Sequence, residues 1–372
     1  MSLSEDVIMN KVTPFPIYLP NMKRVLRRSL KLSPGGVDFT SNDYLGLSRS
    51  EVLYKMIVDA MAVLPVKRNG ATGSRLLSGN SKLIEETEAK LAHHFNSEAG
   101  LLFDSGYSAN LAVLSTLPQH GDTILMDELS HASLKDGARL SLATKWNFRH
   151  NDIIDLKKKL EKAEGEKWIV LESLYSMDGD ECPLDEIIPV AKTFGAHIIL
   201  DEAHTTGIRR NVVNKNVDVH VYTFGKAMGI HGAFVAVSAE IKNLLVNFSR
   251  PFIYTTAPSD HSVVSVSCAL DFLSANLQLQ EVLKNRIDYF RAIAGSVNGW
   301  NRSTTQVQAV IVAGYDAVTR AAAHLQSAGF DVRPILSPTV KEGQERLRIC
   351  LHTFNTENEI RSLVSEMTSL GL

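Results

Sequence analysis

Apolar strands alternate with helices of 3.6-residue periodicity, and each strand runs out into polar residues. That pattern predicts an α/β protein with a mostly parallel, doubly wound sheet and a smaller α+β layer near the C-terminus. Three observations carry it. The runs AGLLF, TILMD, KWIVLE and HIILD are short and almost wholly apolar, as in strands buried on both faces. Between them lie helical stretches such as SKLIEETEAKLAHHF and PLDEIIPVAKTFG. Finally, 372 residues exceed one typical core, so the chain is expected to divide. The expected division is an N-terminal arm (1–40), a large domain (41–256), and a bridging helix with a small C-terminal domain (257–372).

The composition narrows the function. With 44% apolar residues, 22% charged residues and a net charge of −2, nothing favours nucleic acid or an anionic membrane as partner. No run of 18 apolar residues is present, and MSLSEDVIMNKV lacks the basic-then-apolar pattern of a signal peptide. Cys182, Cys268 and Cys350 lie far apart, which offers no zinc spacing and fits a reducing compartment. A cytoplasmic enzyme without a bound metal is the expectation.

In chain order, Pro14, Pro16 and Pro20 break the arm before NMKRVLRRSLKL, a short basic helix. There Arg27 and Arg28 are either solvated charges or a hook for an anionic substrate group. SNDYLGL (41–47) begins the ordered body after a Pro34-Gly35-Gly36 turn. The glycine-containing loop KRNGATGSRLLSGN (67–80) allows close backbone approach to a ligand. A helix capped by Ser81 follows, with His93 and His94 expected at its terminal carbonyls. FDSGYSAN (103–110) then sets Gly106, Tyr107 and Ser108 at a helix N-terminus, where free amides and the positive dipole end suit a phosphate.

DTILMDELSH (122–131), the next strand and turn, ends at His131, and SMDGD (176–180) turns away from the strand after it. Residues 259–295 read as a long helical stretch bridging to the small domain. In RLRICL the two-residue period puts Arg346 and Arg348 on one face, and one of them is a candidate to fork a carboxylate. Thr356 and Glu359 form a capping box at the last helix.

The chemistry concentrates between His197 and Gly232. HIILDEAHTTG delivers Asp201 and His204 to the carboxyl end of a strand, where open α/β sheets bind ligands. VHVYTFGK delivers Thr223, Gly225 and Lys226 to another. An Asp after a strand is often only a cap, and Gly-Lys pairs are common on surfaces. Together, a buried carboxylate and a lysine suit pyridoxal phosphate, the lysine bonding the aldehyde and the carboxylate holding a proton on the pyridine nitrogen. DEAH also spells a helicase box, but Lys226 is followed by Ala227 and no GxxxxGK[ST] accompanies it.

SNDYLGL, FDSGYSAN, LSHASLKDGARLS, SLYSMDGD, LDEAHTTG, TFGKAMG and RLRICL stand in the order found in the α-oxoamine synthases, which the chain resembles over roughly residues 40 to 365. That resemblance implies a fold type I pyridoxal 5'-phosphate enzyme that condenses an amino acid with an acyl-CoA and releases carbon dioxide. SNDYLGL, HND (150–152) and TFGKAMGIHGA are similar to the branch joining L-alanine to pimeloyl-CoA or its acyl-carrier-protein equivalent, rather than to the glycine-using ligase.

By motif, Lys226 resembles the lysine bonded to the cofactor, Asp201 the partner of the ring nitrogen, and His131 the residue stacked on the ring. Ser176 and His204 resemble the groups near the phenolic oxygen, and Gly106, Tyr107 and Thr223 the phosphate cradle. IYTTAP (253–258) matches the segment supplied by the neighbouring subunit, which makes Thr255 and Thr256 its candidates and implies a homodimer with shared sites. Arg348 resembles the arginine gripping the amino-acid carboxylate, with Asn42 facing it; Thr339 and Arg27 are the remaining substrate candidates. The chain departs from the family at IRRNVVNKN (208–216), in the arm, and over most of RPILSPTV (333–340).

Overall fold

The computed structural model describes residue 32 and residues 35–209 and 213–372. Arg27, Arg28 and the expected basic helix before residue 32 lie outside the described residues. The first strand, β1 (Val37–Asp38), falls inside the stretch expected as an arm, yet it pairs in parallel with Phe330–Asp331.

The helices Glu51–Ala62 and Lys82–Phe95 follow. Ser81 caps the second by accepting from Ile84 N–H. At its other end the carbonyls of Ala92 and His93 take the backbone N–H groups of Ser97 and Asn96, not the histidines. Asn96 sits at φ 57°, the left-handed turn that commonly closes a helix, which leaves the imidazoles no task there.

β2 (Ala99–Phe103), β3 (Thr123–Asp127), β4 (Thr144–Phe148), β5 (Lys167–Glu172), β6 (Ala196–Asp201), β7 (Val219–Thr223) and β8 (Ala233–Val237) form one sheet. Its order is β2-β8-β7-β6-β5-β3-β4. All neighbours are parallel except β8, which runs antiparallel to β2 and β7. The expected α/β architecture with a mostly parallel sheet is therefore present. β4 and β8 are strands that the apolar pattern does not announce.

Residues 259–295, expected as one helical stretch, form two helices, Asp260–Ala275 and Gln278–Ile293, bent by 73°. The break is at Asn276, whose Nδ2 donates back to the Phe272 carbonyl at 2.7 Å. Among the described residues no single helix is long and apolar enough to cross a membrane. Beyond them, β9 (Val307–Ile311), β10 (Phe330–Asp331), β11 (Arg333–Ile335) and β12 (Arg346–Cys350) complete the strands. β11, β12 and β9 form an antiparallel sheet in that order. The last helix, Glu357–Ser369, carries the expected capping box between Thr356 and Glu359.

Parallel pairing sets the positions that matter for chemistry. In the β5–β6 register Glu172 stands beside Asp201, and in the β6–β7 register Asp201 stands beside Val221. Strand ends of one sheet thus gather Glu172, Asp201 and Thr223 at a common rim, where such sheets bind ligands.

Candidate active site

At that rim a cavity of about 260 Å³ is lined by Gly106, Tyr107, Asn110, His131, Glu172, Asp201, His204, Thr223 and Lys226, among others. Seven of the residues singled out by sequence come together there. A second cavity of about 370 Å³ adjoins it, sharing Gly225, Lys226 and His231, with Ser41 and Asn42 also in its lining.

Asp201 is 4% exposed. One carboxylate oxygen accepts Ala203 N–H at 2.9 Å and the other accepts Asn110 Nδ2 at 2.7 Å. Both bonds fix the direction of the carboxylate plane. Asn110 also donates to Ser133 Oγ at 2.9 Å, while its own Oδ1 is buried without a partner. Lys226 follows β7 on a turn closed by Gly229 N–H on the Lys226 carbonyl at 2.8 Å. No described residue hydrogen-bonds its Nζ. Burial lowers its pKa, against the opposing attraction of Asp201 and Glu172.

His131 caps the helix Ala132–Leu140, with Nδ1 2.8 Å from Ser133 Oγ. Its backbone N–H donates to Glu172. Burial and then the neighbouring Asp201 charge push the Glu172 carboxyl up to about 8, so it is largely neutral near pH 7. His204 is buried, with Nδ1 2.7 Å from the Tyr44 hydroxyl and its carbonyl accepting Gln306 Nε2 at 2.7 Å. Burial, then the positive Lys226, drive its pKa well down, so the ring is neutral.

Arg348, on β12, donates through Nε to the Ser176 carbonyl at 2.6 Å. Through Nη2 it reaches Asn42 Oδ1 at 2.9 Å and Tyr44 Oη at 3.3 Å. Arg346 goes elsewhere: it is buried against Asp178 and the Met177 carbonyl. The choice left open between the two arginines is thus narrowed by geometry, because only Arg348 meets the SNDYLGL segment.

The remaining candidates are placed differently. Ser176 does not line the cavity, and its carbonyl accepts from Arg348 Nε. Thr255 and Thr256 are also absent from the lining, although Thr255 hydrogen-bonds the half-buried Asp104. Thr339 lies on an exposed turn with its N–H on the Leu336 carbonyl at 2.9 Å, apart from both cavities. Asn110, Glu172, Tyr44 and Gln306 are site residues that the sequence reading did not single out. Asn110 had a signal, since it stands four residues after Gly106 and so shares its helix face.

The aminotransferase class I and II family matches residues 34–366. The chain belongs to this family. Its relatives include the 8-amino-7-oxononanoate synthase of Emericella nidulans, 37% identical over 93% of this chain and 92% of the relative. A putative 8-amino-7-oxononanoate synthase of Bacillus licheniformis is 36% identical over 93% of each chain. Among solved structures, the 8-amino-7-oxononanoate synthase of Francisella tularensis aligns with a TM-score of 0.76 at 26% identity, over 90% of this chain and 97% of that one. Serine palmitoyltransferase from S. paucimobilis, solved with bound PLP and myriocin, gives 0.84 at 25% identity, over 92% and 90%.

The residues present fit pyridoxal phosphate. A helix leaves its first amides unbonded, and Gly106 and Tyr107 open both the helix Gly106–Thr116 and the cavity wall. The backbone there needs glycine, because a Cβ on Gly106 would lie 2.2 Å from Thr223 Cγ2. Across the cavity, a fixed carboxylate and an unbonded amine provide the two groups that the pyridine nitrogen and the aldehyde require.

Proposed function

We propose that the chain catalyses the decarboxylative condensation of L-alanine with pimeloyl-CoA, or its acyl-carrier-protein equivalent, to 8-amino-7-oxononanoate. The observation that carries the reading is the placement of Asp201, Lys226, His131 and His204 on one cavity, with Asn42 lining its neighbour and Arg348, itself outside both linings, bonded to Asn42. The similarity to the 8-amino-7-oxononanoate synthases supports the choice of substrates.

Pyridoxal 5'-phosphate bound there supplies an electron sink for the carbon whose proton is removed. Every other step falls to the chain. Lys226 would hold the cofactor's aldehyde, and its amine would take the α-proton of the bound amino acid. An amine lowered by burial holds more of the unprotonated form that this requires. Asp201 would keep a proton on the ring nitrogen. His131 would pack against the cofactor ring, and neutral His204, backed by Tyr44, would hydrogen-bond its phenolic oxygen. Arg348 would grip the substrate carboxylate while Gly106, Tyr107 and Thr223 would cradle the phosphate.

The test follows free thiol as purified protein turns over L-alanine with pimeloyl-CoA. A clear preference for glycine with acetyl-CoA would instead make it a ligase with the same catalytic residues. A more local prediction concerns Arg348→Lys. Loss of the two-pronged geometry removes a charge-assisted bond worth about 2 kcal/mol, so KM for alanine rises roughly thirtyfold. An unchanged KM would exclude Arg348 as the clamp.

The site is completed by a second copy in this reading. Ala257 N–H donates to the Gly73 carbonyl at 2.9 Å, and Arg68 pairs with Asp260 at 3.0 Å, knitting the 253–258 segment to the 67–80 loop. This joint surface exposes Leu77 (84%) and Tyr254 (72%), the apolar groups a partner would cover. Thr255 or Thr256 then reaches the partner's phosphate. Mixing inactive Lys226→Ala and Thr256→Ala chains is expected to restore about half of the activity per mixed dimer, or about a quarter overall at random exchange, since both lesions can fall in one site and spare the other. Subunit exchange without any recovered activity would show that Thr256 serves its own chain.

A further inference from the structure

The HND stretch has no part in the site described above, yet it stands directly behind it. His150 is gripped from both sides. Its Nδ1 is 3.0 Å from Asp127 Oδ1 at the end of β3, and its Nε2 is 2.6 Å from Asp180 Oδ2. Asn151, at φ 52°, reinforces the same bridge: its N–H donates to Asp127 Oδ2 at 2.9 Å, and its Nδ2 donates to Asp180 Oδ2 at 3.0 Å and the Glu181 carbonyl at 3.1 Å. The edge of Tyr175 meets the imidazole with centroids 4.5 Å apart. Burial disfavours a charge here, but the two carboxylates override it and push His150 up to about 10.

The turn that Asp180 closes is also the surface against which the C-terminal strands rest. The Ser176 carbonyl takes Arg348 Nε, and Met177 and Asp178 hold Arg346. The Gly179 carbonyl accepts Ser303 Oγ at 2.8 Å and Thr305 Oγ1 at 2.9 Å. A guanidinium is rigid and planar, so its aim follows the acceptor on Nε. Movement of the turn would therefore rotate the face that Arg348 offers to a carboxylate.

We infer that His150 is a positioning residue for the amino-acid substrate: clamped between Asp127 and Asp180, it fixes the 176–180 turn whose Ser176 carbonyl aims Arg348. The inference rests on Arg348 being the carboxylate clamp. It gives HND a physical task separate from the chemistry at Lys226.

The test uses the holoenzyme. L-Alanine is titrated while the cofactor absorbance is followed, giving Kd directly, and KM and kcat are measured for both substrates. His150→Gln and Asp180→Asn are each expected to weaken alanine binding about tenfold, short of the roughly hundredfold that a 1 Å misplacement can cost. The kcat at saturating alanine and the KM for the acyl donor stay within about twofold in both variants. A lowered melting temperature with unchanged alanine Kd would overturn the inference and leave His150 as scaffold only. Arg348→Ala separates the two readings. If it leaves alanine affinity unchanged, the clamp assignment fails; if it weakens binding while the other two variants bind normally, only the role of His150 fails. Should His150→Gln not fold, Asp180→Asn, nearly isosteric and still able to accept from Asn151, decides the question.

Discussion

Lys226→Ala is expected to lose turnover by at least about 10³-fold while the protein folds normally. In its proposed role Lys226 supplies two contributions, the covalent hold on the cofactor and the base for the α-proton, and the second alone is worth roughly 10²–10⁴-fold. The fold should tolerate the change. Lys226 Nζ has no hydrogen bond to lose among the described residues, and burial already disfavours its charge. Its truncation therefore belongs with the milder substitutions, about 1 kcal/mol or less. Borohydride treatment of the native holoenzyme should fix the cofactor on the peptide carrying Lys226, and the alanine variant should yield no labelled peptide. Label on another lysine would remove Lys226 from the mechanism, whatever the activity of the variant.

How far the sequence announced this arrangement depends on the kind of information each element needs. Asp201 and Lys226 were readable because each closes a short apolar strand, and burial on both faces leaves a strong pattern in β6 and β7. β4 left none. It is an edge strand whose Thr144, Lys145 and Asn147 are exposed, so its composition is that of a loop. β8 is fully buried, but it follows the glycines of the lysine turn and runs antiparallel, outside the strand–helix alternation. Residues 259–295 satisfy helical periodicity on both sides of Asn276, and the bend shows only in the structure, where Asn276 leaves the helical backbone and its side chain bonds Phe272. Glu172 illustrates a harder limit. Its place beside Asp201 is a fact of strand register, which no local pattern carries. Ser176 shows the converse, since its motif is plain while its placed contact is a backbone carbonyl on Arg348.

Asp201→Asn tests the other half of the proposed catalytic pair, and here the environment limits what the substitution can do. Each carboxylate oxygen faces an N–H donor, Ala203 on one side and Asn110 on the other. An amide must turn its own NH₂ toward one of them, so it loses a hydrogen bond as well as the charge. Loss of a desolvated charge partner removes about 2–5 kcal/mol, which corresponds to roughly 30- to 5000-fold if it falls wholly on the transition state. Cofactor is still expected to bind, because the phosphate cradle at Gly106, Tyr107 and Thr223 and the bond to Lys226 are untouched. The decisive measurement is exchange of the alanine α-proton in deuterated water, followed by NMR without any acyl donor. It isolates the step that depends on a protonated ring nitrogen, so exchange should fall by the same factor as turnover. Near-normal exchange would show that Asp201 does not control the electron demand of the ring. A second readout comes from Glu172, which is held up to about 8 by burial and by the Asp201 charge. Without that charge Glu172 becomes the only ionisable carboxyl on the cavity wall among the described residues and titrates at a lower pH, which carbonyl infrared difference spectra of the variant and the native protein can register.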